Sequence, residues 1–500
     1  MLRKLTFLII AVMLSVVPVL SQDGSSIVIA QGTDAASLDP QLQNDAFTTS
    51  ILNNVFDTLI YRSQELALEP GLATAWENVE DTVWELTLRE GVTFHDGDAF
   101  NAEDVKFSLE RPLDPDLGSP LTGRFSVIDS VDVVDEFTVR VNTVDPYPLL
   151  PARLSEWFMI SKEYVESTDP DVVAENPVGT GAYQLVEWTR DEALVLTAYA
   201  DHWRGAPEIE NVTFRPIPET STRVAALQAG DVNLITNVPA FRQADVNGTD
   251  GLEIRSTPST FIQYVALDGT KNEALADIRV RQALQYGTNV EEIVEFLFEG
   301  SAAQIAVPLA FGTFGLDESF DPYPYDPDLA RELLAEAGYA DGFTLEIDAP
   351  TGRYAQDQEV AEALAGQWEQ IGVEVVLNIN AWPDQLSKYR DGDALAEAHF
   401  MGWGTSTFDA DDIMFAAFAR QPTKNNYTND ELTEIVLNAR TSLDPAEREQ
   451  LYSEALQIVY DELPWLILFQ QFDIYGVDSN LEWAPRQDQK IEVRTISLGS

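Results

Sequence analysis

The sequence predicts an α/β fold assembled in at least two blocks, and three observations carry that expectation. From about residue 180 onward, segments of alternating apolar residues take turns with segments of helical apolar period. The chain runs to 500 residues, more than one ordinary domain needs, with no internal repeat and no long low-complexity linker. Its 45% hydrophobic and 10% aromatic content is enough to fill large cores, which excludes a disordered chain.

The elements follow in chain order. Arg3 and Lys4 precede the apolar run LTFLIIAVMLSVVPVL and then SQDGSS, the pattern of a secretory signal peptide over residues 1–21. The run is shorter than the ~18 residues of a spanning helix and is broken by Ser15 and Pro18, which disfavours a permanent anchor. Cleavage is expected after Ser21, with Val19 and Ser21 at the positions that favour small residues. SIVIAQG (26–32) reads as the first strand, and Phe47, Ile51, Val55 and Leu59 form a helical stripe within 44–61. Trp84, Leu86 and Leu88 alternate as a half-buried strand within 82–94. At 101–111 a helix opens on Asn101 as N-cap, with Asp104 placed to close a capping box. Residues 126–134 and 137–143 read as paired strands around VDEF.

Further on, 212–217 and 232–236 are strands flanking a helix, 220–230, that Gly230 closes. Helices are expected at 277–287 and 326–339, ending near Gly287 and Gly338. The helix 357–372 places Val360, Leu364, Trp368 and Ile371 on one face and feeds a strand at 373–379. Residues 444–463 form a long amphipathic helix.

Thirty basic residues stand against 84 acidic ones, a net charge of −54. Such a surface repels nucleic acid, and no basic patch offsets it. Its simplest physical reading is solubility, in surroundings salty enough to screen the self-repulsion. The absence of cysteine removes disulfides, thiol nucleophiles and thiolate metal sites. It also removes the lipid-carrying cysteine that many exported bacterial proteins keep at their cleavage point. The mature product is therefore expected to be soluble, in the periplasm or outside the cell.

Chemistry-bearing motifs are scarce. There is no GxSxG, HExxH or GxxxxGK[ST] pattern, and GTGAY (179–183) lacks the third glycine of a dinucleotide fingerprint. His95, His202 and His399 are far apart and read as structural or surface residues. FHDG and PVGTGAY read as turns, with Gly97 tolerating positive φ. The acidic burst Asp409, Asp411, Asp412 lacks the calcium-loop pattern. Since IMFAAFA follows it, most of it reads as negative charge at a helix start. No catalytic residue, metal or cofactor is expected.

Several segments occur together and in order: LDPQL, VFDTLIY, EPGLATAWE, WELTLREGVTFHDGDAFNAEDVKFSLER, NPVGTGAYQLVEW, DHWRGAPEIENVTFRPIPETSTRVAALQAGDVNLI, IRVRQALQYGTN and YDPDLARELLAEAGYADGF. From about residue 27 to the end, the chain resembles the peptide/nickel-type extracellular solute-binding family, which holds the oligopeptide- and dipeptide-binding proteins. The resemblance implies a two-lobed periplasmic-binding-protein clamp of type II, with an additional small domain in the first lobe. It places the first lobe at 24–265, the additional domain at about 60–175, the second lobe at 270–470 and a return to the first lobe at 471–500. It implies a non-enzymatic, monomeric receptor that delivers a small ligand to the permease subunits of an ABC importer. Short peptides are the expected ligand, an oligosaccharide is the alternative, and a secreted acid-dependent hydrolase is the remote one.

A clamp needs aromatic faces and a few directed polar groups in its cleft. Asn44, Phe47 and Thr48 stand where a polar loop feeds a helix. Arg353 and Tyr354 lie in GRYAQD, a neighbourhood that in peptide binders supplies an arginine for the ligand carboxylate. Trp382 and Trp403 complete the aromatic set, and Trp403 lies at the end of a strand. In dipeptide-type binders an aspartate three residues past this tryptophan pairs with the ligand's α-amino group, but here that position is Ser406. Losing that charge-assisted bond would cost about 1.5–3 kcal/mol. Asp409 is the next acid in line to replace it.

Overall fold

A computed structural model describes residues 25–392, 394–420 and 423–499; the expected signal peptide, 1–21, lies outside the described residues. Among the described residues no helix is long and apolar enough to cross a membrane.

The backbone is organised by an eleven-stranded mixed sheet. Across it run Glu374–Ala381, Thr344–Thr351, Ala398–Gly404, Leu252–Leu267, Trp465–Asp478, Leu234–Ile235, Ser26–Gln31, Asn211–Pro216, Ala193–Ala198 and Tyr183–Thr189, with Ala302–Gln304 added against Trp465–Asp478. Two long strands, Leu252–Leu267 and Trp465–Asp478, tie its two ends together. At one end Val265, Leu267, Leu466 and Phe469 join the core built around Trp368, Leu364 and Val360. At the other, Tyr475 and Val477 join the core of Ile27, Ile29, Val212 and Phe214. The pairing between the two strands loses register from Pro258 to Ile262 and again between Gln263 and Tyr264. Proline has no amide hydrogen for the ladder, which interrupts the pairing there.

A separate four-stranded antiparallel sheet is formed by Ala73–Glu80, Val83–Leu88, Thr138–Thr143 and Ile128–Asp135. The helix Ala102–Glu110 closes its apolar face over Leu86, Val131, Val139 and Val141. The capping box at its start is complete: Asn101 Oδ1 accepts from Glu103 N at 2.8 Å, and Asp104 Oδ2 accepts from Asn101 N at 3.0 Å. Gly230 likewise closes its helix in the left-handed region, at φ 76°.

The stripe over 44–61 resolves differently from its periodicity. Only Ala46–Leu52 is helical, capped by Asp45. Val55 and Leu59 are fully buried, but from non-helical chain. The carbonyls of Asn54 and Val55 leave helical geometry to accept from Tyr183 N and Gly181 N, each at 2.9 Å. That contact explains the glycines of PVGTGAY, since a Cβ on Gly179 would lie 2.0 Å from Val55 O. Near the acidic burst, a single α-turn, Asp411–Ile413, continues as a π-helix, Met414–Ala419.

Candidate ligand-binding site

A cavity of about 270 Å³ lies where five parts of the chain meet. They are the segment before the first helix (Gln43, Asn44), the small-sheet domain (Arg124, Glu156), strand Leu252–Leu267 (Thr260, Phe261), the end of strand Ala398–Gly404 with the residues after it (Ser406, Phe408), and the C-terminal stretch Asp488–Lys490. Gly404 is paired with Phe261, and a Cβ there would sit 3.0 Å from the ring. The missing side chain lets Phe261 lie across the strand end as part of the wall. Opposite, Phe125 and Trp157 stack at 3.9 Å with 21° between their planes, giving the wall a flat apolar face.

The charged groups of the wall are held unequally. Arg153, just behind it, joins distant parts of the chain: it pairs with Asp412 at 2.6 Å and Glu156 at 3.4 Å, and donates to Ser406 Oγ at 3.3 Å. Ser406 in turn donates its hydroxyl to Glu156 Oε2 at 3.2 Å. The other carboxylate oxygen, Glu156 Oε1, is buried and has no hydrogen-bond partner among the described residues. A carboxylate from a distant part of the chain is thus hydrogen-bonded to the serine at position 406. Asp488 accepts from Arg486 at both oxygens, at 2.8 and 2.6 Å, and from the Lys490 amide at 3.3 Å. Arg62 donates to the carbonyls of Leu66 and Thr407, each at 3.1 Å, and lies over the Phe408 ring. The Lys490 ammonium and the Arg124 guanidinium show no ion pair among the described residues. Burial pushes the Lys490 ammonium below its ordinary range against the opposing charge of Asp488, with Glu156 also acting on it.

The acidic burst next to this wall has other partners. Asp409 pairs with Arg448 at 2.8 Å, Asp411 with Arg440 at 2.5 Å, and Asp412 with Arg153. Asp412 also accepts from the hydroxyls of Thr405 and Thr407 and from the amides of Ser406 and Thr407. Burial would raise Asp412, but Arg153 and the threonine bonds outweigh it and hold the carboxyl below its usual range. For Asp411 burial wins over Arg440 and pushes the carboxyl up to about 6; its Oδ1 has no donor. Asp411 and Asp412 do lie in the first helical turn, yet arginines and threonines, not the helix end, hold their side chains.

The residues expected from sequence are spread around this cavity. Asn44 and Ser406 line it. Thr48 is fully buried and accepts from Ala36 N at 2.9 Å, and Phe47 is half-buried near Gly32. Arg353 is exposed, with its guanidinium 5.2, 5.3 and 5.6 Å from the rings of Tyr354, Trp382 and Phe261. Since Phe261 is a cavity residue, this aromatic group adjoins the cavity. Tyr354 donates to Gly402 O at 3.3 Å, and Trp403 is half-buried 6.3 Å from the Trp465 ring. Asp409 lies behind, on Arg448. Glu156, Lys490, Arg124 and Phe261 escape sequence reasoning. Glu156 stands 250 positions from the serine it meets, and no spacing rule joins such residues.

The profile of the bacterial extracellular solute-binding proteins, family 5 (middle), matches residues 67–425. The chain is 30% identical over 457 residues to the glutathione-binding protein GsiB of Pectobacterium atrosepticum, covering 88% of each chain. Among solved structures it is similar to HbpA2 from Haemophilus parasuis, with TM-score 0.86, 26% identity, 95% of this chain and 100% of the other covered. It is also similar to the periplasmic binding protein DppA from Helicobacter pylori in complex with the peptide STSA, with TM-score 0.77, 26% identity, and 95% and 98% covered.

Proposed function

The chain belongs to the bacterial extracellular solute-binding proteins of family 5, the substrate-binding proteins of ABC importers, and from that premise we propose that its ligand is a short peptide. The peptide is captured between the lobes and handed to the membrane permease. The observation that carries this reading is Glu156 Oε1, a buried carboxylate oxygen on the cavity wall without a donor. A buried carboxylate oxygen without a donor is costly, and an ammonium group supplies both charge and hydrogen bond. Glu156 thus takes the part that the sequence led one to seek at Ser406. The relatives' names agree, glutathione and a short peptide both carrying a free amine. A cavity of about 270 Å³ fits small ligands, near the lower end of the roughly 300–1,000 Å³ usual for such sites.

The oligosaccharide alternative draws on the Phe125–Trp157 face, which suits a sugar ring. A neutral sugar would bring no cation to Glu156 Oε1, which has no donor, so the peptide is favoured. Of the two wall carboxylates, Asp488 is engaged by Arg486, which leaves no free acid–base pair for a hydrolase. In this reading the protein is an exported, monomeric receptor, divided at the boundaries expected from sequence. Asn44 and Ser406 contact the ligand, Arg353, Tyr354, Trp382 and Trp403 extend its wall, and Phe47, Thr48 and Asp409 support it.

Mass spectrometry of whatever leaves the purified protein on mild denaturation tests this. The expected result is a peptide of a few residues with an unblocked amine. An oligosaccharide, or melting-temperature increases with sugars and none with short peptides, would overturn it.

A further inference from the structure

The cavity inverts the charge balance of the molecule that contains it. The whole chain carries 84 acidic and 30 basic residues. The cavity wall carries three basic residues, Arg62, Arg124 and Lys490, and two acidic ones, Glu156 and Asp488. Hydrogen bonding sharpens the inversion. Asp488 is engaged at both oxygens by Arg486, and Arg62 is directed at two carbonyls. What the wall leaves free is one carboxylate oxygen, Glu156 Oε1, and two cations, the Lys490 ammonium and the Arg124 guanidinium.

Resting on the peptide reading above, we infer that the preferred ligand is an anionic short peptide, with its single ammonium on Glu156 and at least two carboxylates on Lys490 and Arg124. Lys490, which shows no hydrogen bond from its ammonium among the described residues, receives a carboxylate inside the cavity, and Arg124 receives one at the open rim as a planar fork. The net charge of −54 works against an approaching anion, but salt screens it beyond about 8 Å at physiological ionic strength. Selection for the anion is therefore made at contact range, by these two side chains.

The test is calorimetric titration of the full mature chain with alanine-based tripeptides carrying Glu or Gln at each position in turn. The two members of each pair differ by one charge and almost nothing in shape. At least one Glu peptide should bind tenfold or more tightly than its Gln counterpart. Lys490→Gln should abolish that preference and Lys490→Arg should retain it. Arg124→Gln, at an exposed side chain, should reduce it and serves if Lys490→Gln does not fold. Equal binding within every pair overturns the anionic preference and leaves the peptide reading standing; no binding by any tripeptide overturns both. A preference that survives in both Lys490→Gln and Arg124→Gln overturns the assignment to these cations.

Discussion

The acidic burst at 409–412 and the charged wall of the cavity lie only a few residues apart, and they treat charge in opposite ways. In the burst each aspartate pairs with a different arginine: Arg448, Arg440 and Arg153. In the wall, Glu156 Oε1 has no donor, and Lys490 and Arg124 show no ion pair among the described residues. The one loose oxygen of the burst, Asp411 Oδ1, is off the cavity wall, and there the mismatch appears as a carboxyl shifted up to about 6. Buried charge matched within the fold holds segments in register; buried charge left open to a cavity is a request for a ligand. Arg153 stands at the junction, since one guanidinium serves both Asp412 and Glu156.

The largest effect should come from breaking the matched set. Arg448→Met leaves Asp409 buried without its cation and should cost about 3–5 kcal/mol in urea unfolding. Peptide affinity of the folded protein should change less than about twofold, because Asp409 and Arg448 are absent from the wall. A large affinity loss with intact stability would erase the distinction drawn here.

A third kind of buried charge sharpens the comparison. Asp473, on strand Trp465–Asp478, is bonded at both oxygens by the Gln489 amide and by no other donor among the described residues, and burial pushes it up to about 7. The folded state then holds a proton that the unfolded chain releases from about pH 4 upward. The resulting stability is fully present below that pH and is lost as pH rises towards 7, by up to about 1.4 kcal/mol per unit. Asp473→Asn should flatten this part of the stability profile, read from urea midpoints at several pH values. An unchanged slope would show that Asp473 is not the group responsible.

The smallest effect should follow from Gly404→Ala. Its Cβ would press on the Phe261 ring at 3.0 Å and push it into the cavity. Affinity should fall a few-fold while stability changes by about 1 kcal/mol or less, as for a mildly overpacked and partly open site.

Local chemistry was legible in the sequence where it acts over one turn. The Asn101–Asp104 box, the Gly230 cap and the buried face of Val360, Leu364 and Trp368 all need only neighbours within the same helix. The stripe through Val55 and Leu59 reported burial correctly but not helix, because contact with Gly181 and Tyr183 draws the backbone away. At the site, Ser406 could be singled out as the odd position, but its partner could not. Glu156 sits in LSEWF, where nothing separates it from dozens of other acids, and the fold alone brings it to the serine. Lys490 and Arg124 are hidden for the same reason, as cations in different parts of the chain that only tertiary structure places around one cavity.

The central claim is that Glu156 reads the ligand's amine. The direct measurement is a thermodynamic cycle: the tightest-binding tripeptide, with its amine free or acetylated, titrated calorimetrically into the wild-type protein and into Glu156→Gln. Acetylation should weaken wild-type binding by tenfold or more, consistent with about 1.5–3 kcal/mol for a charged hydrogen bond, and should weaken Glu156→Gln by less than about threefold. The same loss in both proteins, or none in the wild type, would contradict the account.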